Sequence, residues 1–328
     1  MRVLVLGGTR FIGRHLVDAC LAREHQVTII HRGLSRSPFG GLVREVLADR
    51  RTPTPEARHT LRQSWDAVID TCAAEPDDLQ VTTPLLRDVG LYVLLSSCAV
   101  YSRRDTPLTE LSPTIRSDTA DPIERSGAFK LRCEAYLRDN LGTAGASLLV
   151  ARLGLVIGPH DHSGRLAYWL GRALRGGDVL VPMDLDQPLQ LIDARDVARS
   201  TVQAMDRGLT GVVNMAGPCI TAGELLEAIA LCADTSMNPC WVGEQFVLLR
   251  GVRPWAEIPL WLTRSSPERA LMNVSCARAA DEAGLAHRPL PESIGDCLLR
   301  HTSHPLGSTT RWLDRSHELR LLKEWANC

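Results

Sequence analysis

The chain has 328 residues, 45% of them hydrophobic and 23% charged, with a formal net charge of −1. That is enough to bury a sizeable core, in one elaborated α/β domain or two modest ones. The balance of 37 basic against 38 acidic residues sets up no global field, which argues against partners selected by net charge, namely nucleic acid and anionic membrane.

The first 153 residues alternate short apolar runs with helical stretches. "RVLVL" (2–6) leads to an amphipathic helix near 11–23, then "VTII" (27–30), "REVLA" (44–48) and "DAVID" (66–70). A helix is expected near 77–88, then "LYVLLSS" (91–97), a helix near 124–140 and "SLLVARL" (147–153). The apolar runs do not alternate with polar residues, so the strands are covered on both faces. This is the pattern of an α/β, Rossmann-type, doubly wound parallel sheet, whose ligands sit beyond the carboxyl ends of the strands. From 154 to 328 the texture is looser and reads as a smaller, discontinuous α/β substrate lobe, with a segment about 189–215 returning to the sheet. Within it "ARDVARSTVQAM" reads as a helix capped by Asp196, and "TAGELLEAIALCA" as a Thr-capped helix. Trp241, Trp255 and Trp261 belong either to that lobe's core or to a lid.

Ten cysteines are scattered without a C-x-x-C pair, as expected of free thiols in a reducing compartment. No apolar run reaches membrane-spanning length and the first strand begins at once, so the expected location is cytoplasmic.

Between the first strand and first helix stands "GGTRFIG". Gly7 permits a tight turn and Gly13 a close helix–strand approach. The N–H groups of Thr9, Arg10, Phe11 and Ile12, at the helix start, are candidates to receive a pyrophosphate. A site for NAD(H) places a carboxylate at the end of the second strand; here "VTIIHRG" offers His31 and Arg32. A cation there suits a 2′-phosphate, with Arg10 as a second arm, so NADP(H) is favoured and NAD(H) stays open. Asp49 and Arg50 beyond the third strand, and Ala73 beyond the fourth, are further candidate cofactor contacts.

With "VLGGTRFIGRHLV", "YVLLSSCAVYS", "FKLRCEAY", "RLGLVIGPHD" and "LQLIDARDVAR" in that order, the sequence resembles the extended or atypical short-chain dehydrogenase/reductase superfamily, in its NAD(P)-dependent epimerase/dehydratase branch. The resemblance implies that Ser97 bonds the substrate oxygen and that Lys130 binds the nicotinamide ribose. It also implies a tyrosine four residues before the lysine, and that position is Ser126. Positions i and i+4 share a helix face, so Ser126 stands where the phenol belongs, and a serine hydroxyl is a far weaker acid. Tyr101, Tyr168 and His160 are alternative acids or substrate contacts, and Gln190 is a further substrate contact. Three readings stay open: reduction of a carbonyl or imine by a non-standard proton relay, non-redox lyase, cyclase or isomerase chemistry with retained NAD(P), and nucleotide binding without turnover. The expected partner is a small-molecule substrate, and the superfamily allows a homodimer.

His160, Asp161 and His162 contain metal-ligand chemistry, but neighbouring loop residues seldom face one ion, so no metal is expected. Asp193 and Asp196 are weighed as a carboxylate pair, with helix capping the simpler role for Asp196.

Overall fold

The computed structural model describes residues 1–102, 107–119, 124–304 and 312–327. The strands are β1 (Arg2–Leu6), β2 (Gln26–His31), β3 (Arg44–Leu47), β4 (Ser64–Asp70), β5 (Asp88–Ser97), β6 (Ser147–Leu153), β7 (Leu155–Ile157), β8 (Gly177–Val181), β9 (Pro188–Asp193), β10 (Gly211–Met215), β11 (Cys219–Thr221) and β12 (Met237–Trp241). The helices are α1 (Phe11–Leu21), α2 (Pro55–Leu61), α3 (Asp77–Gln80), α4 (Arg125–Asn140), α5 (Arg165–Arg175), α6 (Ala194–Asp206), α7 (Ala222–Ala233), α8 (Glu244–Leu248), α9 (Ala277–Ala283), α10 (Leu290–Ser303) and α11 (Arg315–Trp325).

The chain divides into two compact units. The first holds residues 1–156, 192–217 and 274–287, built on a seven-stranded sheet in the order β10-β6-β5-β4-β1-β2-β3. Each neighbouring pair in it runs parallel. Successive side chains on a strand point to opposite faces, and both faces here are apolar. Val3, Val5, Ile29, Val93 and Leu95 pack in a core with α1, α6 and α9, whereas Leu4, Leu6, Val68, Tyr92 and Leu94 pack in a second core with α2, α3 and α4. This two-sided burial explains the unbroken hydrophobic runs.

Two local expectations are corrected. The helix expected near 77–88 is the single turn α3, a 3-10 turn at Thr83–Leu85, and then β5, which already starts at Asp88. Pro84 lacks the N–H and sterically blocks a continuous helix. The cap of α6 is Asp193, whose carboxylate accepts from the Arg195 N–H, and not Asp196, which lies in the first turn. Strand β9 runs on to Asp193, so the helix starts three residues earlier than the Asp196 reading requires.

Helix α4 lies against the short 3-10 turn Cys98–Val100 that follows β5. A Cβ on Gly127 would stand 2.2 Å from the Ala99 carbonyl oxygen, so only glycine allows this approach. Gly127→Ala should push α4 off the turn and cost about 1–3 kcal/mol, read as a lower urea midpoint. An unchanged midpoint would show that the helix has room to move.

The second unit comprises residues 157–191, 218–273 and 288–328. In it β11 pairs antiparallel with β9, and β12 pairs parallel with β8, while α5, α7 and α10 pack on one another. Thr221 caps α7 in a reciprocal capping box with Glu224. Trp169 and Trp261 are fully buried. Trp261 therefore belongs to the core of this unit, while Trp241 and Trp255 are half-buried. Among the described residues no helix is long and apolar enough to cross a membrane.

Candidate active site

The glycine turn follows β1 directly. The Gly7 N–H donates to the Ile30 carbonyl at 2.8 Å, and Gly7 has φ +100°, a conformation that L side chains rarely adopt. A Cβ on Gly7 would also stand 2.3 Å from Thr71 Oγ1, whose hydroxyl donates to the Leu6 carbonyl at 2.9 Å. A Cβ on Gly13 would press on the Gly8 backbone at 3.0 Å, so α1 sits hard against the turn. The Arg10 side chain does not cap α1, and its first turn has no acidic residue. The turn thus lies at the positive end of a helix dipole. These residues fit the pyrophosphate of a dinucleotide. Thr9 and Ile12 are half-buried and Phe11 is buried.

The two residues singled out at the end of β2 differ. His31 is buried at the end of β2, where its Nδ1 accepts from the Gly33 N–H at 3.2 Å. Its proton is thereby assigned to Nε2, which faces Glu45 Oε2 at 3.2 Å. Arg32 and Arg10 are exposed, with their charges open to solvent. Asp49 is half-buried and accepts from the Arg51 N–H at 2.8 Å. Arg50 turns inward: its guanidinium forks onto the fully buried Asp70 at 2.8 and 2.6 Å.

Lys130 stands on α4 with its side chain half-buried. Its ammonium donates to the carbonyls of Ala73 at 2.6 Å and Leu95 at 2.8 Å, joining α4 to the ends of β4 and β5. Two of its three N–H groups are thus used within the protein. Burial lowers its pKa, opposed by the negative charge of Asp70. Ser97 ends β5 two residues beyond Leu95, and its hydroxyl oxygen accepts from the Ala99 N–H at 3.1 Å. Ser126 is exposed in the first turn of α4, one turn before Lys130.

Tyr101 and Tyr168 are both buried. Tyr101 is fully buried, donates to Asn214 Oδ1 at 2.6 Å, and has the Arg152 guanidinium 4.9 Å from its ring centre. Burial pushes its pKa up to about 12, so this phenol keeps its proton. Tyr168 is buried in the second unit, edge-on to Trp169 at 5.1 Å and with Arg172 over its ring at 4.7 Å. His160 and Gln190 also belong to that unit. His160 is half-buried with φ +69°, and Gln190 is buried on β9 opposite Cys219. Asp161 accepts from both the N–H and the hydroxyl of Ser163 at 2.8 Å. Among the described residues no group of three or more His, Cys, Asp or Glu side chains is arranged to hold a metal ion.

Sequence reasoning passed over the buried polar groups that support this site. Glu134, one turn after Lys130 on α4, receives the Arg152 guanidinium at 3.1 and 2.7 Å and the Ser96 hydroxyl at 2.5 Å. Tyr92 donates to Asp70 at 2.6 Å. The available signals were Asp70 at the end of the run "DAVID" and Arg152 inside "SLLVARL".

A model of the NAD dependent epimerase/dehydratase family matches residues 3–216. The chain belongs to this family. It is a family of NAD(P)-dependent enzymes, and the seven-stranded parallel sheet is its Rossmann-like core. A 2′-dehydrokanamycin reductase of Streptomyces kanamyceticus is 29% identical over 259 residues, spanning 75% of this chain and 72% of that protein. A chloroplast stem-loop binding protein of 41 kDa from Arabidopsis thaliana is 23% identical over 231 residues, 66% of this chain and 58% of that one. Among solved structures, UDP-glucose 4-epimerase of Thermotoga maritima with UDP-glucose matches with a TM-score of 0.69 at 18% identity, covering 92% of this chain and 99% of that chain. The Thermus thermophilus UDP-glucose 4-epimerase complex with NAD matches with a TM-score of 0.67 at 21% identity, covering 93% of this chain and all of that chain, 100%. At these identities the structural matches speak for the fold.

Proposed function

We propose that this family member binds NADP(H) and reduces a carbonyl or imine of a small organic metabolite by a proton relay that does not use a tyrosine. The observation that carries this reading is the Lys130 ammonium, held by two carbonyls at the ends of β4 and β5. The similarity to a reductase of 2′-dehydrokanamycin supports reduction over epimerisation. The backbone of Gly7–Gly13 holds the pyrophosphate, and Lys130 directs its remaining N–H at the nicotinamide ribose. Arg10 and Arg32, both exposed, take the 2′-phosphate by charge-assisted hydrogen bonds. When bound, the nicotinamide supplies the hydride.

The protein's part is then binding, orientation and proton supply. Ser97 orients the substrate oxygen. Ser126 is too weak an acid to be the proton source, and it is open to water, so it passes a solvent proton inward. The lowered pKa of Lys130 makes its ammonium a readier donor than a free lysine.

The cofactor part is tested by fluorescence titration of NADPH and NADH against wild type and Arg32→Asp. The variant should lose NADPH affinity by roughly 10-fold or more, the scale of one or two charge-assisted hydrogen bonds, and should lose little affinity for NADH. Equal losses for both cofactors would contradict the 2′-phosphate assignment. The reductase part is tested with NADPH and a panel of ketones and imines that includes 2′-dehydrokanamycin.

A further inference from the structure

The two carbonyls that receive Lys130 are held in different ways. Leu95 lies within β5, where the sheet fixes its peptide. Ala73 lies three residues beyond the end of β4; its carbonyl belongs to the Ala73–Ala74 peptide, whose N–H donates to Asp78 Oδ2 at 2.8 Å, and the two N–H groups before it are held by a second carboxylate. Asp70 Oδ1 accepts from the Cys72 N–H at 3.1 Å and the Ala73 N–H at 2.9 Å. Asp70 is itself locked by the Arg50 fork at 2.8 and 2.6 Å and the Tyr92 hydroxyl at 2.6 Å. Arg50 is tied in turn to the Thr82 hydroxyl at 3.2 Å. A chain of contacts therefore runs from Arg50 through Asp70 to the N–H of Ala73, the residue whose carbonyl receives the Lys130 ammonium.

We propose that Asp70 and Arg50 are the positioning pair of Lys130: they hold the residue that carries its acceptor carbonyl and set the charge that its ammonium faces. The inference rests on the reading of Lys130 as the lysine of the site, and it gives a role to Arg50 other than cofactor contact. Burial alone would raise the Asp70 pKa, but the Arg50 charge and hydrogen bonds, with Tyr92 and the Cys72 N–H, outweigh it and hold the carboxyl at about 2. Asp70 is thus ionised at neutral pH. Around Lys130 burial disfavours the ammonium; Asp70, then the Cys133 and Cys72 thiols, favour it, and Arg50 opposes it.

Because Lys130 and Lys323 are the chain's only lysines, carbon-13 labelling at lysine Cε yields two NMR signals, and Lys323→Arg assigns them. The full chain is titrated without substrate. Asp70→Asn removes the favourable charge and should move the Lys130 midpoint to lower pH. Arg50→Gln removes the opposing charge and should move it to higher pH, and Arg50→Lys should restore the wild-type midpoint. The Lys323 signal should not respond. An unmoved Lys130 midpoint in Arg50→Gln, or shifts in one common direction for both charge-removing variants, would overturn the proposal. Should Asp70→Asn not fold, Arg50→Gln against Arg50→Lys decides alone. No turnover or cofactor is needed, so failure of the NADP reductase reading would appear separately, in the binding and rate assays.

Discussion

Lys130→Ala should abolish measurable turnover, by roughly 100- to 10,000-fold, the range expected when a positioned proton-transfer group is lost. The substitution removes the ammonium that links α4 to the Ala73 and Leu95 carbonyls. It also leaves those two acceptors to find water, at about 1–3 kcal/mol if they fail. Initial rates of NADPH oxidation, with circular dichroism to confirm the fold, separate the two effects. A folded variant that still turns over would move the chemistry away from α4. Lys130→Met keeps most of the packing volume while still removing the ammonium, and so controls for the cavity that alanine leaves.

The second large effect concerns the other end of the same helix face. Glu134 is fully buried, and Arg152 nearly so; together they form an ion pair at 2.7 Å that also takes in Ser96. Glu134→Ala leaves a buried guanidinium without its partner, and this should cost about 3–5 kcal/mol. The double variant Glu134→Met with Arg152→Met should recover much of that loss, because neither charge is then stranded. Urea unfolding of Glu134→Met, Arg152→Met and the double variant measures the coupling. Additive losses would mean that the pair contributes packing and little charge interaction. The same network has a consequence for the site: it ties α4 to β5 and β6, and so limits how far Lys130 can drift from its acceptors.

Much of the fold was legible because its signals are local. The unbroken apolar strands, the glycine turn and the helix carrying Lys130 each follow from short stretches of sequence, and the parallel sheet follows from their order. What was not legible depends on contacts across the chain. Arg50 stands where a cofactor contact is expected, beyond β3, yet it turns to a carboxylate 20 residues away. Nothing local to "ADRRT" announces that, since it requires β4 to lie beside β1 and the loop to fold inward. His31 stands beside Arg32, where a cation for the ribose phosphate is expected, but its ring is engaged by Gly33 and Glu45. Tyr101 and Tyr168 show the limit of reading residue type alone. A tyrosine in an apolar run serves equally as acid or as core, and burial places both of these in cores. The shift of the α6 cap from Asp196 to Asp193 has a similar origin, because both aspartates are good caps and only the length of β9 chooses between them.

Reduction by NADPH without a tyrosine acid is tested by a single-turnover reaction. A stoichiometric amount of NADPH is bound to the protein, mixed with 2′-dehydrokanamycin and the ketone and imine panel, and followed by loss of the nicotinamide absorbance. Oxidation of the cofactor is expected with at least one substrate, matched by reduced product, in wild type and not in Lys130→Ala. Tightly bound NADPH that stays reduced with every substrate would contradict it.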